Sequence, residues 1–371
     1  MKVPFVDLKA QYQSIREEIN SAIQNVLDST SFILGKSVAD FERAFAVMHN
    51  VKYCYGTSSG TDGNHLCLWA IGTQPGDEII IPANTFIATV WGATLCGAKP
   101  VFADCHPLSY NIDPTSVEKV ITKKTKAIVA VHLYGQSADI NPLKEIAKIH
   151  NIYLIEDCAQ AHLAEYYGKK VGGLSAASSF SFYPGKNLGA YGEAGAVCTN
   201  DEMLADKFKM MRDHGSKQKY THIMYGHNYR MEGIQGAVLS VKLKYLDKWI
   251  ELRRNAAKLY YDLLSNIEQI VLPKEMDYAR HVYHLFVIRV RGGKDKRDGL
   301  MKHLADNDIS AGLHYPIPCH LQPCFSHLGY KKGDFLNSET LADEGLSLPM
   351  YPELTSEQIN YVCDIIKNYF K

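Results

Sequence analysis

Between residues 53 and 198 the chain alternates short apolar runs with stretches of helix-forming residues, and this rhythm constrains the fold more than any other feature. The runs are Tyr53-Cys54-Tyr55, Glu78 to Pro82, Val101 to Asp104, Ala127 to Leu133, Tyr153 to Ile155, Ser179 to Phe182 and Ala196 to Cys198. Stretches 61–71, 85–96, 113–121 and 141–149 carry helix formers, with Asp or Asn near their starts. Strands that alternate with helices predict an α/β fold, a mostly parallel sheet wrapped by helices.

Outside this region the pattern changes. Residues 11–28 predict a leading amphipathic helix, stopped at Phe32-Ile33-Leu34-Gly35. A long helical pattern from about Ile234 to Leu264 reads as a bridge to a smaller α+β unit. That unit is expected to hold a strand at His284–Val290, a helix from Arg297 to Asn307, a strand from Ile309 to His314 and a closing helix from Ser356 to Tyr369. With 371 residues, 46% of them hydrophobic, two cores are affordable, and the expected division is 1–245 for the large domain and 246–371 for the small one.

Forty basic and forty acidic residues cancel, so no broad field points to nucleic acid or to an anionic membrane, and any phosphate recognition must be local. The nine cysteines lack the paired short spacing of a zinc site or a secreted disulfide framework, and read as free thiols. The first residues lack the apolar stretch of a signal peptide, and no apolar run reaches the ~18 residues that span a bilayer. The expectation is a soluble cytoplasmic protein.

Chemistry concentrates at strand ends. The run Ile152-Tyr153-Leu154-Ile155 delivers Glu156-Asp157 to a carboxyl end, where open α/β sheets build their sites. Asp157 either caps the next helix or faces a pyridine nitrogen and keeps it protonated. Lys186 follows another apolar run, framed by Pro184-Gly185 and Gly189, and is either a solvated loop charge or a lysine held for covalent chemistry. Gly56-Thr57-Ser58-Ser59-Gly60-Thr61 is either a plain turn or an anion cradle at a helix N-terminus. Phe86 is either core or a stacking face. Together, cradle, ring, acid and lysine fit one cofactor, pyridoxal phosphate.

The runs Glu156-Asp157-Cys158-Ala159-Gln160-Ala161-His162, Ser181 to Ala190, Gly192 to Ala196 and Gly226-His227-Asn228-Tyr229-Arg230 resemble the sugar aminotransferases of the DegT/DnrJ/EryC1/StrS family. The likeness runs from Val3-Pro4-Phe5-Val6-Asp7-Leu8 to Leu348-Pro349-Met350-Tyr351-Pro352. It implies a pyridoxal-phosphate enzyme of fold type I, aspartate-aminotransferase-like, working as a homodimer with its sites at the subunit interface. By that resemblance Lys186 matches the Schiff-base lysine, Asp157 the partner of the pyridine nitrogen, and Gln160 the residue near the ring hydroxyl. Phe86 and Ala159 match the two faces of the ring. Ser59, Gly60, Thr61 and Ser181 match the phosphate cradle, and Asn228 a phosphate ligand given by the other subunit.

Where the family often has Ala-His-Gly-Ala, this chain has Ala161-His162-Leu163-Ala164. The dehydratase branch replaces the lysine by histidine, so Lys186 implies transamination, with pyridoxamine phosphate formed in the half-reaction. Tyr183, Lys219, His314 and Tyr315 match positions that contact the nucleotide-sugar in relatives acting at C3. The implied reaction moves an amino group from L-glutamate to a nucleotide-linked keto-sugar, dTDP-3-keto-6-deoxyhexose, giving the dTDP-3-amino-3,6-dideoxyhexose. That implies deoxysugar biosynthesis serving lipopolysaccharide or O-antigen. The alternatives are a C4 aminotransferase on a UDP-, GDP- or dTDP-4-keto-sugar, a cyclitol-ketone aminotransferase, and a non-catalytic regulator that binds pyridoxal phosphate.

Overall fold

The apolar runs become seven strands: β1 (Tyr53–Thr57), β2 (Glu78–Pro82), β3 (Lys99–Ala103), β4 (Thr125–Val131), β5 (Tyr153–Asp157), β6 (Ala177–Ser181) and β7 (Gly195–Thr199). The structure is a computed structural model describing residues 1–371. The strands form one sheet in the order β1-β7-β6-β5-β4-β2-β3. Strands β2 to β6 pair in parallel, and β7 runs antiparallel to both β6 and β1.

Side-chain alternation explains why both faces are covered. On β2, Ile79 and Ile81 enter one core while Ile80 enters another, and on β4 Ala127, Val129 and Val131 divide in the same way from Ile128 and Ala130. Every residue of β2 is buried, as a central parallel strand between two helical layers requires. The parallel strands point their carboxyl ends to one edge, which brings Pro82, Asp157 and Ser181 to the same side of the sheet.

The expected helices stand at Gly60–Ala70, Ile87–Leu95, Pro114–Val120 and Ile140–His150. Two longer patterns are each broken once. The leading helix divides into Leu8–Ser14 and Arg16–Ser29 at Ile15, whose dihedrals leave the helical range. The long bridge divides into Gly233–Leu243 and Leu246–Leu264, with Tyr245 at the corner. The Tyr245 hydroxyl donates to Glu18 and its ring stacks on Trp249 at 5.8 Å, so tertiary contacts hold a bend that helical periodicity does not reveal.

Helix Leu246–Leu264 passes from one core to another. Leu246 and Ile250 join the core of the large sheet, while Ala256, Ala257, Tyr260 and Leu264 join a second core with Phe286, Leu300, Val362 and Ile366. The second core holds a small antiparallel sheet of β8 (Ile270–Val271), β9 (Phe286–Val290) and β10 (Gly345–Leu348), in that order. The strand expected at Ile309–His314 does not form. Its pairing is divided between two partners, one bridge from Ile309 to Val3 and one from Gly312 to Ser347, and neither extends into a ladder. The third strand is Gly345–Leu348 instead, and the closing helix Ser356–Tyr369 packs on the same core under a Thr355/Gln358 capping box.

All nine cysteines are free, seven of them buried, with Cys96 half-buried and Cys324 exposed. No helix is long and apolar enough to cross a membrane.

Candidate active site

Asp157 ends β5 and is 3% exposed. Three donors hold its carboxylate: Asn64 Nδ2 at 2.9 Å and Thr89 Oγ1 at 2.7 Å on Oδ2, and the Ala159 backbone N–H at 3.0 Å on Oδ1. Thr85 Oγ1 lies 2.8 Å from Thr89 Oγ1, and the Ser179 hydroxyl donates to Asn64 Oδ1, so a chain of hydrogen bonds runs from β6 through Asp157 to helix Ile87–Leu95. Neither Asn64 nor Thr89 was expected from the sequence. Thr89 had one signal, a hydroxyl inside the mostly apolar stretch Ile87–Leu95, whereas Asn64, among Asp62, Gly63 and His65, had none.

Glu156, beside Asp157 on the opposite face, serves the scaffold. It accepts from His132 Nε2 at 3.0 Å, Gly172 N at 2.8 Å, and Leu174 N and Ser175 Oγ at 2.9 and 3.0 Å. His132 Nδ1 accepts from Ala138 N at 3.0 Å. These bonds occupy both His132 nitrogens and both Glu156 oxygens of the buried His132, Glu156 and Cys158 group, so the pair fits a structural clamp between β4 and β5.

Lys186 sits in the turn that leaves β6. Its N–H donates to Tyr183 O at 2.8 Å, and the next residue, Asn187, is buried and donates to Val282 O at 3.1 Å. Burial pushes the Lys186 amine down to about 8, against the opposing pull of the Asp157 carboxylate. A sizeable neutral fraction at moderately alkaline pH makes it a usable nucleophile and base.

The cradle lies where helix Gly60–Ala70 begins. Ser59 is its N-cap, with Oγ accepting from Asp62 N at 3.1 Å. The N–H groups of Gly60 and Thr61 have no acceptor within the chain. A Cβ on Gly60 would lie 2.6 Å from the Ser181 Cβ, so only glycine lets the helix N-terminus approach the end of β6. The Ser59 hydroxyl donates to the Asp62 carboxylate at 2.8 Å, while the free N–H groups beside the Ser181 hydroxyl suit a phosphate dianion. With the anchored acid and the lysine, this donor set fits pyridoxal phosphate.

Phe86 caps helix Ile87–Leu95 and is 50% exposed, its ring 5.3 Å from that of Tyr315. Ala159 is half-buried, two residues after the β5 end. Gln160 is buried: Oε1 accepts from Tyr134 N at 2.6 Å and Nε2 donates to Tyr315 Oη at 3.0 Å, leaving one amide N–H. The Tyr134 hydroxyl donates to the His314 carbonyl, so the His314-Tyr315 turn is fastened to the large sheet. His314 Nδ1 is 2.9 Å from Ser347 Oγ and its ring stacks on Phe5 at 5.7 Å. Burial and the nearby Lys186 push the His314 imidazole down to about 4, which keeps it neutral at pH 7.

The structure therefore joins Asp157 with Ala159, Gln160 with Tyr315, and Gly60 with Ser181. Tyr183 is 55% exposed at the mouth of the Lys186 turn, its N–H donating to Ser181 Oγ at 3.3 Å. Two expected residues are not joined to this set within the chain. Lys219 stands on the exposed hairpin formed by Ser216–Gln218 and Thr221–His222, its ammonium over the Tyr220 ring at 5.1 Å. Asn228 is exposed, and its Oδ1 accepts from Arg230 Nε at 3.0 Å.

Similarity to known proteins agrees with this geometry. A protein of Geobacillus stearothermophilus called a pleiotropic regulatory protein is 46% identical, with 100% of this chain and 99% of the relative covered. The dTDP-3-amino-3,6-dideoxy-alpha-D-galactopyranose transaminase of Aneurinibacillus thermoaerophilus is 43% identical, with 99% of each covered. Among solved structures, Streptomyces venezuelae DesV in complex with a ketimine intermediate superposes with a TM-score of 0.97 at 40% identity, covering 100% of this chain and 99% of that one. Residues 13–367 match the DegT/DnrJ/EryC1/StrS aminotransferase family, and the chain belongs to it.

Proposed function

We propose that the protein is a pyridoxal-phosphate-dependent aminotransferase that moves an amino group from L-glutamate to C3 of a dTDP-linked 3-keto-6-deoxyhexose. The observation that carries this reading is the meeting, at one sheet edge, of a triply anchored Asp157, a Lys186 amine lowered to about 8, and a Gly60 cradle with unclaimed N–H groups. The choice of C3 and of dTDP rests on the likeness to the Aneurinibacillus transaminase and to DesV.

When bound, pyridoxal phosphate supplies a carbonyl that condenses with amines and a ring that accepts electrons from a carbanion. Ser59, Gly60, Thr61 and Ser181 hold its phosphate. Phe86 and Ala159 flank the ring, and Asp157, unable to turn away from its three donors, holds the pyridine proton. The remaining Gln160 N–H would be available to the ring oxygen. Lys186 would anchor the cofactor through its amine and, when free, would act as the base that moves a proton at the substrate carbon. Neutral His314 and the Tyr315 hydroxyl bind the sugar without adding charge, while Tyr183 and Lys219 receive the nucleotide. We further propose a cytoplasmic homodimer in which Asn228 reaches the neighbouring subunit's phosphate, which accounts for its having no partner in the site of its own chain. Lipopolysaccharide or O-antigen is the proposed destination of the sugar.

Incubating the enzyme with glutamate and a panel of dTDP-, UDP- and GDP-linked 3-keto and 4-keto sugars, with products located by NMR, tests this. Amination at C3 of the dTDP sugar is expected; amination at C4 or on another nucleotide overturns the assigned position. The name of the Geobacillus relative favours a second reading, a regulator that binds the cofactor without turnover. That reading predicts no product with any sugar although the cofactor is bound.

A further inference from the structure

Helix Gly233–Leu243 carries a lysine outside every role assigned above. Lys242 is 1% exposed, and its Nζ donates to one acceptor, the Gly189 carbonyl, at 2.7 Å. Its ammonium also lies 4.6 Å from the centre of the Tyr191 ring. No carboxylate pairs with it at contact distance, and Glu353 acts on it only through space. Burial pushes the amine down to about 8, so an apolar side chain would fill this position at lower cost. An amine kept there points to the carbonyl it serves.

Gly189 closes the turn that begins at Pro184. A Cβ on Gly189 would lie 2.2 Å from the Pro184 carbonyl oxygen, so the two ends of the turn touch. Ala190 N donates to Phe182 O at 2.7 Å, and Phe182 N to Ala194 O at 2.8 Å, which pins the ends to the continuation of β6. The same helix grips the exit as well, since Gln235 Oε1 accepts from Tyr191 N at 2.9 Å. Lys186 lies inside this closed turn, three residues before the carbonyl that Lys242 holds.

We propose that Lys242 is a positioning residue for Lys186: by donating to the Gly189 carbonyl, it fixes the turn from which the Lys186 side chain reaches the cofactor. The proposal rests on the reading of Lys186 given above. Without the donor, the Gly189 carbonyl is left buried and unpaired, and the turn relaxes toward another partner. A displacement of about 1 Å in a reacting group costs up to roughly a hundredfold in rate, with little effect on substrate affinity.

The test uses holoenzyme. Lys242→Met removes the donor at nearly matched length, and Lys242→Gln keeps an N–H donor on a shorter arm. Lys242→Met is expected to lower kcat by at least about tenfold, to leave KM for both substrates within about twofold, and to change the visible circular dichroism of the bound cofactor. Lys242→Gln is expected to recover part of both signals. Wild-type kcat and dichroism in Lys242→Met overturn the proposal, as does equal impairment of both variants with an unchanged cofactor signal. Where Lys242→Met yields no folded protein, Lys242→Gln decides: lowered kcat with altered dichroism supports the clamp, and wild-type values overturn it. Turnover retained by Lys186→Ala is a separate result, and it overturns the reading of Lys186 rather than the clamp.

Discussion

Asn64 Nδ2 donates to Asp157 Oδ2 at 2.9 Å across 93 residues of sequence, tying the second turn of helix Gly60–Ala70 to the carboxyl end of β5. The helix whose first turn forms the cradle thus also aims the acid, so cradle and acid keep a fixed separation. Asn64→Leu removes a donor from Asp157 and the acceptor of the Ser179 hydroxyl, both buried. It is expected to cost about 2–3 kcal/mol of stability. Denaturant unfolding checks the stability, and the cofactor content after gel filtration, expected to fall, checks the aim of Asp157.

Gly60→Ala places a methyl group 2.6 Å from the Ser181 Cβ, closer than carbon atoms tolerate. The helix start or the end of β6 must shift, and the cradle opens. Equilibrium dialysis is expected to give cofactor affinity at least about tenfold weaker, since the free N–H groups lose their convergence on the phosphate. Unchanged affinity would place the phosphate elsewhere.

The Lys186 amine, lowered to about 8, sets a pH dependence for cofactor capture by the apoprotein. Only the neutral amine attacks, so capture is expected to rise with pH through about 8 and to level above it, falling to about a tenth at pH 7. Stopped-flow absorbance follows the rise. Lys186→Ala is expected to abolish both the lysine-bound absorbance and turnover.

Acid lability follows from four buried histidines. Burial lowers His49 and His65 to about 4 and His281 to about 3, and holds His162 well below its ordinary value of 6.5. Both ring nitrogens of His162 and Nε2 of His49 lack partners. Between pH 6.5 and about 4 the unfolded chain therefore binds protons that the folded chain refuses, so stability is lost as pH falls through that window. Each histidine contributes up to about 1.4 kcal/mol per pH unit. Urea unfolding from pH 7 to 5 is expected to show a slope of more than one proton; a flat profile would contradict it.

The main strands were legible because a buried parallel sheet writes itself as short apolar runs, and β2 coincides with its predicted bounds. The placing of Asp157 and Lys186 at the sheet edge was legible because each follows such a run. The bends at Ile15 and Tyr245 were not, since Ile15 is buried in a cluster with Val238, Val241 and Trp249 and Tyr245 is tied to Glu18, all partners distant in sequence. The strand at Ile309–His314 was misread because its apolar alternation serves a core without a ladder. The partners of Asn64, Thr89 and Lys242 were invisible because a polar side chain within a helix gives no sign of what it will meet.

Residue order by itself determined the layered α/β architecture, since apolar periodicity decides which segments pair and which pack, and it pointed to Asp157, Lys186 and the glycine-rich turn as candidates. Tertiary structure alone decided what those groups are able to do. The pull of three donors on Asp157, the desolvation that lowers the Lys186 amine, and the 2.7 Å contact from Lys242 to Gly189 all depend on atoms far apart in the chain meeting where water is excluded. Electrostatic strength depends on that exclusion, and a sequence does not contain it until it is folded.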